Sequence, residues 1–142
     1  VIQYVQEKIR KELGLELDVQ LLPFKERLAK MTQKDFDIVL AGWSADYNDA
    51  LSYMDLWLTG GGNNHISYSN PKYDELIKIG QTSPDQKTRI EAMIQAEKIL
   101  GDDMPAGMLY FRKQVALVNP RLLDMKFKPT GSEFYLYDAS VK

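Results

Sequence analysis

The sequence predicts an α/β protein with an open, mostly parallel β-sheet that contains a βαβ unit flanked by helices. Residues 15–21 alternate strictly between apolar and polar side chains, which is the period of a strand with one solvated face. Residues 36–42 form a mostly apolar run with β-branched residues at its centre, typical of an interior strand. The link from Pro23 to Asp35 is thirteen residues long and is predicted to be partly helical, which is enough for a right-handed parallel crossover.

Helical spacing of apolar side chains predicts the elements around these two strands. The first helix covers residues 2–13 and ends before Gly14, a common left-handed cap. The second helix follows Pro23 and runs to about residue 33. Three further helices are predicted to begin at the cap signals Asn48 or Asp49, Asn70 and Ser83. The last of them is expected to end at Gly101, with short strands to follow at residues 108–112 and 115–118.

Composition limits the classes of function that are open to the chain. Its 142 residues are enough for one domain with a core, and we expect residues 1–142 to form a single α/β lobe. Eighteen Lys and Arg against twenty Asp and Glu give a net charge of −2, which argues against a nucleic-acid partner. The chain has no cysteine and one histidine, so thiolate chemistry and histidine-rich metal sites are not expected. No cofactor is predicted.

The segment that leaves the second predicted strand is the candidate site. Residues 42–49 combine a glycine, two large aromatic side chains and two carboxylates. In open α/β sheets, ligands bind beyond the carboxyl ends of the parallel strands, which is where this segment would lie. An aspartate there suits a cationic ligand group, because a charge-assisted hydrogen bond contributes about 1.5–3 kcal/mol. The residues alone also allow Asp46 and Asp49 to cap turns and helices while Trp43 fills the core, and this reading is stronger for Asp49 than for Asp46.

The stretch from Phe36 to Asp49, with Ala-Gly-Trp-Ser-Ala-Asp-Tyr at residues 41–47, closely resembles the strand-and-loop signature of oligopeptide-binding proteins. These proteins are the extracytoplasmic receptors of peptide ABC importers. The Asn63-Asn64 pair, residues 68–74 and Leu109-Tyr110-Phe111 support the resemblance in their order along the chain. It implies one lobe of a two-lobed, periplasmic-binding-protein-like fold, and residues 1–142 are then an incomplete fragment that lacks the N-terminal lobe.

The resemblance also implies roles, partners and a location. In the family, the aspartate at the position of Asp46 pairs with the α-amino group of the ligand, and the main chain at Gly42, Trp43 and Ser44 pairs with the extended peptide like an added strand. Tyr47 belongs to the same site. Weaker ligand-binding candidates follow the glycine run: Asn63, Asn64 and His65. The implied protein is not an enzyme. It binds short peptides, delivers them to a membrane-embedded ABC permease, and is periplasmic or a cell-surface lipoprotein.

Other functions remain open from the residues alone. A magnesium-dependent phosphoryl-transfer or receiver-like domain could use Asp46 at the end of a strand. Such a site needs carboxylates from a second strand end, whereas the strand that ends at Leu22 is followed by Pro23-Phe24-Lys25. Within the binding class, relatives that take sugars, nickel or haem are alternatives. One histidine serves nickel poorly, while Trp43 could stack on a sugar.

Overall fold

Helices make up most of the regular structure in the computed structural model, which describes residues 1–113, 115–128, 130 and 134–142. The described residues form five α-helices: α1 Ile2–Leu13, α2 Phe24–Gln33, α3 Leu51–Met54, α4 Pro71–Thr82 and α5 Gln86–Asp103. One turn of 3-10 helix, Asp55–Trp57, follows α3. They also form four short strands: β1 Leu122–Leu123, β2 Lys126–Phe127, β3 Phe134–Tyr135 and β4 Ser140–Val141. The chain divides into two units, Val1–Gly42 and Trp43–Lys142.

The two helices of the first unit agree with the sequence prediction. Helix α1 ends at Gly14, whose φ of 68° is left-handed and whose N–H donates to the carbonyl of Arg10 at 3.1 Å. Glycine adopts this conformation without the steric cost that a Cβ imposes, so it ends the helix cleanly. Helix α2 ends at Lys34, which is also left-handed, with φ 59°. Both helix ends are therefore set by local backbone geometry.

The two strands predicted in the first unit are not formed. Residues 15–21 and 36–42, all of them described, carry no ladder hydrogen bonds, so the prediction of a parallel βαβ unit is not confirmed in this chain. Side chains hold these segments instead: Gln6 Nε2 donates to the carbonyl of Leu17 at 2.8 Å, and Arg27 donates to the carbonyl of Leu40 at 2.7 Å. A strand forms only where its backbone groups find a neighbouring strand.

The core of the second unit lies where α4 packs against α3 and α5. Tyr73 and Ile77 of α4 are fully buried, and they contact Leu51, Met93 and Ala96 in one apolar cluster. The phenolic O–H of Tyr73 donates to the carbonyl of Met54 at 2.7 Å, so this buried polar group is satisfied.

Gly80 lets the helices of this core approach closely. A Cβ at this buried position would lie 3.2 Å from Cγ of Met93 and 3.4 Å from Cδ2 of Leu51. The absence of a side chain at Gly80 therefore removes an obstacle between α4 and its two neighbours.

The ends of α4 and α5 show one success and two errors of the prediction. Asn70 caps α4 as expected, because its Oδ1 accepts hydrogen bonds from the N–H groups of residues 72 and 73. Helix α5, however, is capped by Asp85 rather than Ser83, since the Asp85 carboxylate accepts from Thr88 N–H at 2.7 Å. Nor does α5 end at Gly101. It continues to Asp103, whose carboxylate accepts from Asn70 Nδ2 at 2.8 Å and thereby holds the last turn.

Tyr68 completes this link between α5 and the segment before α4. Its hydroxyl donates to Asp103 at 2.6 Å. Burial and the neighbouring Asp103 carboxylate together raise the pKa of the Tyr68 hydroxyl to about 12. The same hydrogen bond, with that of Asn70, lowers the pKa of Asp103.

The sheet structure that does form is antiparallel and lies in the last quarter of the chain. Strand β1 pairs with β4, with Leu122 opposite Val141, and β2 pairs with β3, with Lys126 opposite Tyr135. The strands predicted at 108–112 and 115–118 are absent, and no described segment pairs with them, which leaves their apolar side chains exposed. None of the helices in the described part of the chain has the length and apolar character needed to cross a bilayer.

Candidate ligand-binding site

The candidate site is the segment from Trp43 to Ala50, here called the site loop, which leads directly into α3. Two hydroxyl groups of α3 hold its backbone. Ser52 Oγ accepts the N–H of Asp46 at 2.8 Å, and Tyr53 Oη accepts the N–H of Ala45 at 3.2 Å. Ser52 is buried while Asp46 is exposed. Helix α3 thus anchors the backbone of the loop, while Asp46 lies at the surface.

Asp46 keeps its carboxylate available. Among the residues that the structure describes, none forms a hydrogen bond or an ion pair with this side chain. An exposed carboxylate on an anchored backbone can accept charge-assisted hydrogen bonds from a cationic group. Amine recognition at Asp46 stays a prediction.

Asp49 is engaged in the structure of the loop. One carboxylate oxygen accepts the N–H of Leu51 at 2.9 Å, and the other pairs with Arg89 at 2.5 Å. The predicted cap at Asn48 or Asp49 is wrong by one or two residues, because α3 begins at Leu51 with Ala50 in the cap position. Arg89 also donates from Nε to the carbonyl of Gly80 at 2.7 Å. The hydrogen bond from Leu51 and the pairing with Arg89 lower the pKa of Asp49. This residue ties the site loop to α4 and α5.

Asp49→Asn tests this electrostatic tie. A carboxyl whose pKa is lowered by folding contributes stability above its ordinary pKa of about 3.9, and that contribution is lost as the pH falls through the folded value. Asparagine keeps an oxygen for the Leu51 N–H but carries no charge. We expect the variant to be less stable than the wild type at pH 7, and the difference to shrink towards pH 2 in urea titrations. A difference independent of pH would contradict the assignment.

Aromatic side chains flank the two carboxylates. Trp43, Tyr47 and Tyr53 are each about half exposed. Partial burial raises the pKa of the Tyr47 hydroxyl, and the nearby negative charges of Asp55, Asp49 and Asp46 raise it further. The tyrosine therefore stays neutral at physiological pH. These rings offer apolar surface in the same segment as a free carboxylate, a combination suited to organic cations with apolar substituents.

The backbone at residues 42–44 forms no hydrogen bond with any other residue that the structure describes. Within the described part of the chain, the main-chain groups of Trp43 and Ser44 take part in no hydrogen bond, and the same holds for Gly42, the last residue of the first unit. Unpaired N–H and C=O groups at an exposed position can bind an extended chain. By contrast, the amides of Ala45 and Asp46 are occupied by α3.

The weaker candidates differ sharply in their surroundings. Asn64 is buried, and its amide donates to the carbonyls of Leu58 at 2.9 Å and Tyr68 at 2.7 Å while its oxygen accepts the Tyr68 N–H. Both of its amide hydrogens are therefore engaged within its own loop. Asn63 is exposed and His65 is half-buried. No hydrogen bond among the described residues joins this loop to the site loop, so a ligand role for these three residues stays a prediction.

The sequence reasoning did not identify three residues that shape the site. Ser52 and Tyr53 carry hydroxyls in the helix next to the loop, and that proximity was the available signal, because such hydroxyls often bind nearby backbone. Arg89 lies forty positions after Asp49. No local pattern points to a partner at that distance, so only the packing of α5 reveals it.

The alternative based on metal chemistry depends on a cluster of ligating side chains. Within the described ranges, no group of three or more histidine, cysteine, aspartate or glutamate side chains is placed to hold a metal ion. Phosphoryl transfer at Asp46 would require such a cluster to hold magnesium.

Comparison with known proteins identifies the class first. The model of the family described as bacterial extracellular solute-binding proteins, family 5 Middle, matches residues 1–65. This stretch includes the first unit and the whole site loop. The chain is therefore similar to bacterial extracellular solute-binding proteins.

Individual relatives then define the likeness more narrowly. The chain is 29% identical to the oligopeptide-binding protein OppA of Bacillus subtilis over 95% of its length, and 31% identical to a dipeptide-binding protein of Lactococcus lactis over 91%. It covers 25% and 24% of those two proteins, about a quarter of each. The resemblance seen in the sequence to oligopeptide-binding proteins is confirmed.

A solved structure gives the same result. Listeria monocytogenes OppA bound to peptide matches 99% of this chain with a TM-score of 0.87 and 32% identity, and the chain covers 27% of that protein. The fold of the described residues is therefore similar to part of a larger peptide-binding protein.

Proposed function

We propose that this chain is the peptide-binding C-terminal lobe of an ABC-transporter substrate-binding protein, and that it captures the α-amino end and backbone of short peptides for import. The observation that carries the proposal is Asp46, an exposed carboxylate that no other described residue pairs with, on a backbone anchored to α3. The named relatives bind oligopeptides and dipeptides, which favours peptides over sugars, nickel or haem.

The rest of the receptor follows from this proposal. Residues 1–142 form one lobe, and an N-terminal lobe absent from this chain closes over the ligand. The extended segments at 15–21 and 36–42 then join a mostly parallel sheet whose other strands lie outside the chain. The receptor is extracytoplasmic, carries out no catalysis, and delivers its peptide to a membrane-embedded permease.

Peptide recognition is divided between two parts of the site loop. Asp46 accepts hydrogen bonds from the terminal ammonium group, and Tyr47 lies beside it. The free main-chain groups of Gly42, Trp43 and Ser44 pair with the peptide backbone, a mode that is independent of the peptide's side chains. Along the chain, the groups that pair with the peptide backbone, at residues 42–44, therefore come before the carboxylate of Asp46 that binds the amine.

Asp46→Ala in the full-length receptor tests the proposal. The variant is expected to weaken binding of an unmodified tripeptide by about 10- to 150-fold, because a charge-assisted hydrogen bond is lost. Binding of the N-acetylated tripeptide, which has no ammonium group, should change far less. Isothermal titration calorimetry measures both.

Asp102→Ala is the matched control, since Asp102 is an exposed aspartate on α5 and the change removes the same charge. We expect it to leave both affinities unchanged. Equal losses for the free and acetylated peptides in Asp46→Ala would show that this carboxylate does not recognise the amine.

A further inference from the structure

Two consecutive hydroxyl groups hold two consecutive amides of the site loop. Ser52 Oγ lies 2.8 Å from the amide nitrogen of Asp46, and Tyr53 Oη lies 3.2 Å from that of Ala45. Ser52 is 4% exposed, whereas Tyr53 is 49% exposed. The buried hydroxyl thus acts on the residue that carries the free carboxylate, and the exposed hydroxyl acts on its neighbour.

The first turn of α3 is itself fixed in place. The N–H of Ser52 donates to the carbonyl of Asp49 at 3.1 Å, and the Asp49 carboxylate pairs with Arg89 of α5. Leu51, the neighbour of Ser52, belongs to the apolar core. The packed core of the second unit therefore fixes the position of Ser52 Oγ. Because Ser52 Oγ accepts the N–H of Asp46, it also fixes the main chain of Asp46.

We propose that Ser52 is a positioning residue for amine recognition: its buried hydroxyl fixes the backbone of Asp46 so that the carboxylate is held ready for the ammonium group of a peptide. The inference rests on the proposed function of Asp46. A carboxylate on a backbone fixed before binding loses less conformational freedom when the ligand arrives, so affinity is higher. Ser52 does not touch the ligand and acts only through Asp46.

The test compares two affinities in the full-length receptor, for an unmodified tripeptide and for its N-acetylated form. Their ratio measures selectivity for the free amine. Ser52→Ala is expected to weaken binding of the unmodified peptide by about 3- to 10-fold, which corresponds to the free energy of one hydrogen bond. Binding of the acetylated peptide should change little. Ser52→Thr retains the hydroxyl and should restore most of the ratio.

Two further variants separate positioning from general stability. Ser69→Ala removes a hydroxyl of the same unit that, among the described residues, accepts from Thr59 alone at 3.1 Å, and it should leave the ratio unchanged. In a double-mutant cycle, Ser52→Ala should have no further effect on the ratio once Asp46 is alanine, because Ser52 acts through that carboxylate. Should Ser52→Ala fail to fold, Tyr53→Phe provides the measurement, with a smaller loss of ratio expected.

Each outcome has one meaning. Equal weakening of both peptides by Ser52→Ala, or an effect on the ratio that persists in the Asp46→Ala background, overturns the positioning role while the function of Asp46 stands. An unchanged ratio in Asp46→Ala alone overturns the proposed function itself.

Discussion

Tyr73→Ala is expected to destabilise the second unit by about 3–5 kcal/mol, the range for removing a large side chain from a packed core. Tyr73 is fully buried, packs edge-on against Tyr68 with ring centroids 6.0 Å apart, and donates its hydroxyl to Met54. Since net stabilities of domains are of the order of 5–15 kcal/mol, the variant should lose a large fraction of the stability of this unit.

Urea denaturation followed by tryptophan fluorescence measures this loss. The chain has two tryptophans, Trp43 and Trp57, and both belong to the second unit, so the signal reports its unfolding. Tyr73→Phe is the matched control: it keeps the ring and loses one hydrogen bond, so we expect about 1 kcal/mol. A cost for Tyr73→Ala no larger than for Tyr73→Phe would show that Tyr73 does not hold this core together.

Asn64→Ala is expected to cost about 3 kcal/mol, because three hydrogen bonds of about 1 kcal/mol each are lost together. The Asn64 side chain bonds to the carbonyls of Leu58 and Tyr68 and to the amide of Tyr68, and it is 7% exposed. Its removal takes from Tyr68 the partners of its N–H and its carbonyl, while the carbonyl of Leu58 still accepts the N–H of Gly61 at 2.9 Å, and it frees the loop that leads into α4.

The neighbouring asparagine provides the control for that prediction. Asn63 is exposed, and we expect Asn63→Ala to stay within about 0.5 kcal/mol of the wild type. The same urea titration measures both variants. Equal costs for the two substitutions would contradict a structural role that is particular to Asn64.

The helices could be predicted from the sequence because their signals are local. The apolar spacing of α1, the left-handed glycine after it, and the Asn70-Pro71 start of α4 lie within a few residues of the backbone that they shape. The errors at Ser83 and Gly101 concern helix ends where a competing partner decided: Asp85 is the better cap, and Asp103 is held by Tyr68 and Asn70.

The strands could not be predicted reliably because a strand depends on a second segment. The alternation at 15–21 and the apolar run at 36–42 show which faces could be buried, but they do not supply the neighbouring strand whose backbone completes the ladder. In the described residues, pairing occurs instead between segments with weak sequence signals, such as Leu122–Leu123 with Ser140–Val141.

The candidate site could be predicted from the sequence only where its residues are neighbours along the chain. Asp46 and its neighbours form a continuous stretch, so the motif is visible in the sequence. The ion pair of Asp49 with Arg89 depends on how α3 packs against the helices after it, whereas the bond from the Asp46 amide to Ser52 is local, six residues along the chain. These contacts separate the two aspartates into one that is engaged in the structure and one that remains free.

The most direct measurement is a crystal structure of the full-length receptor with a short peptide bound. We predict that a carboxylate oxygen of Asp46 lies about 2.7–2.9 Å from the terminal nitrogen of the peptide, the distance of a charge-assisted hydrogen bond. A bound peptide whose terminal nitrogen pairs with another residue, while the Asp46 side chain faces solvent, would contradict the assignment.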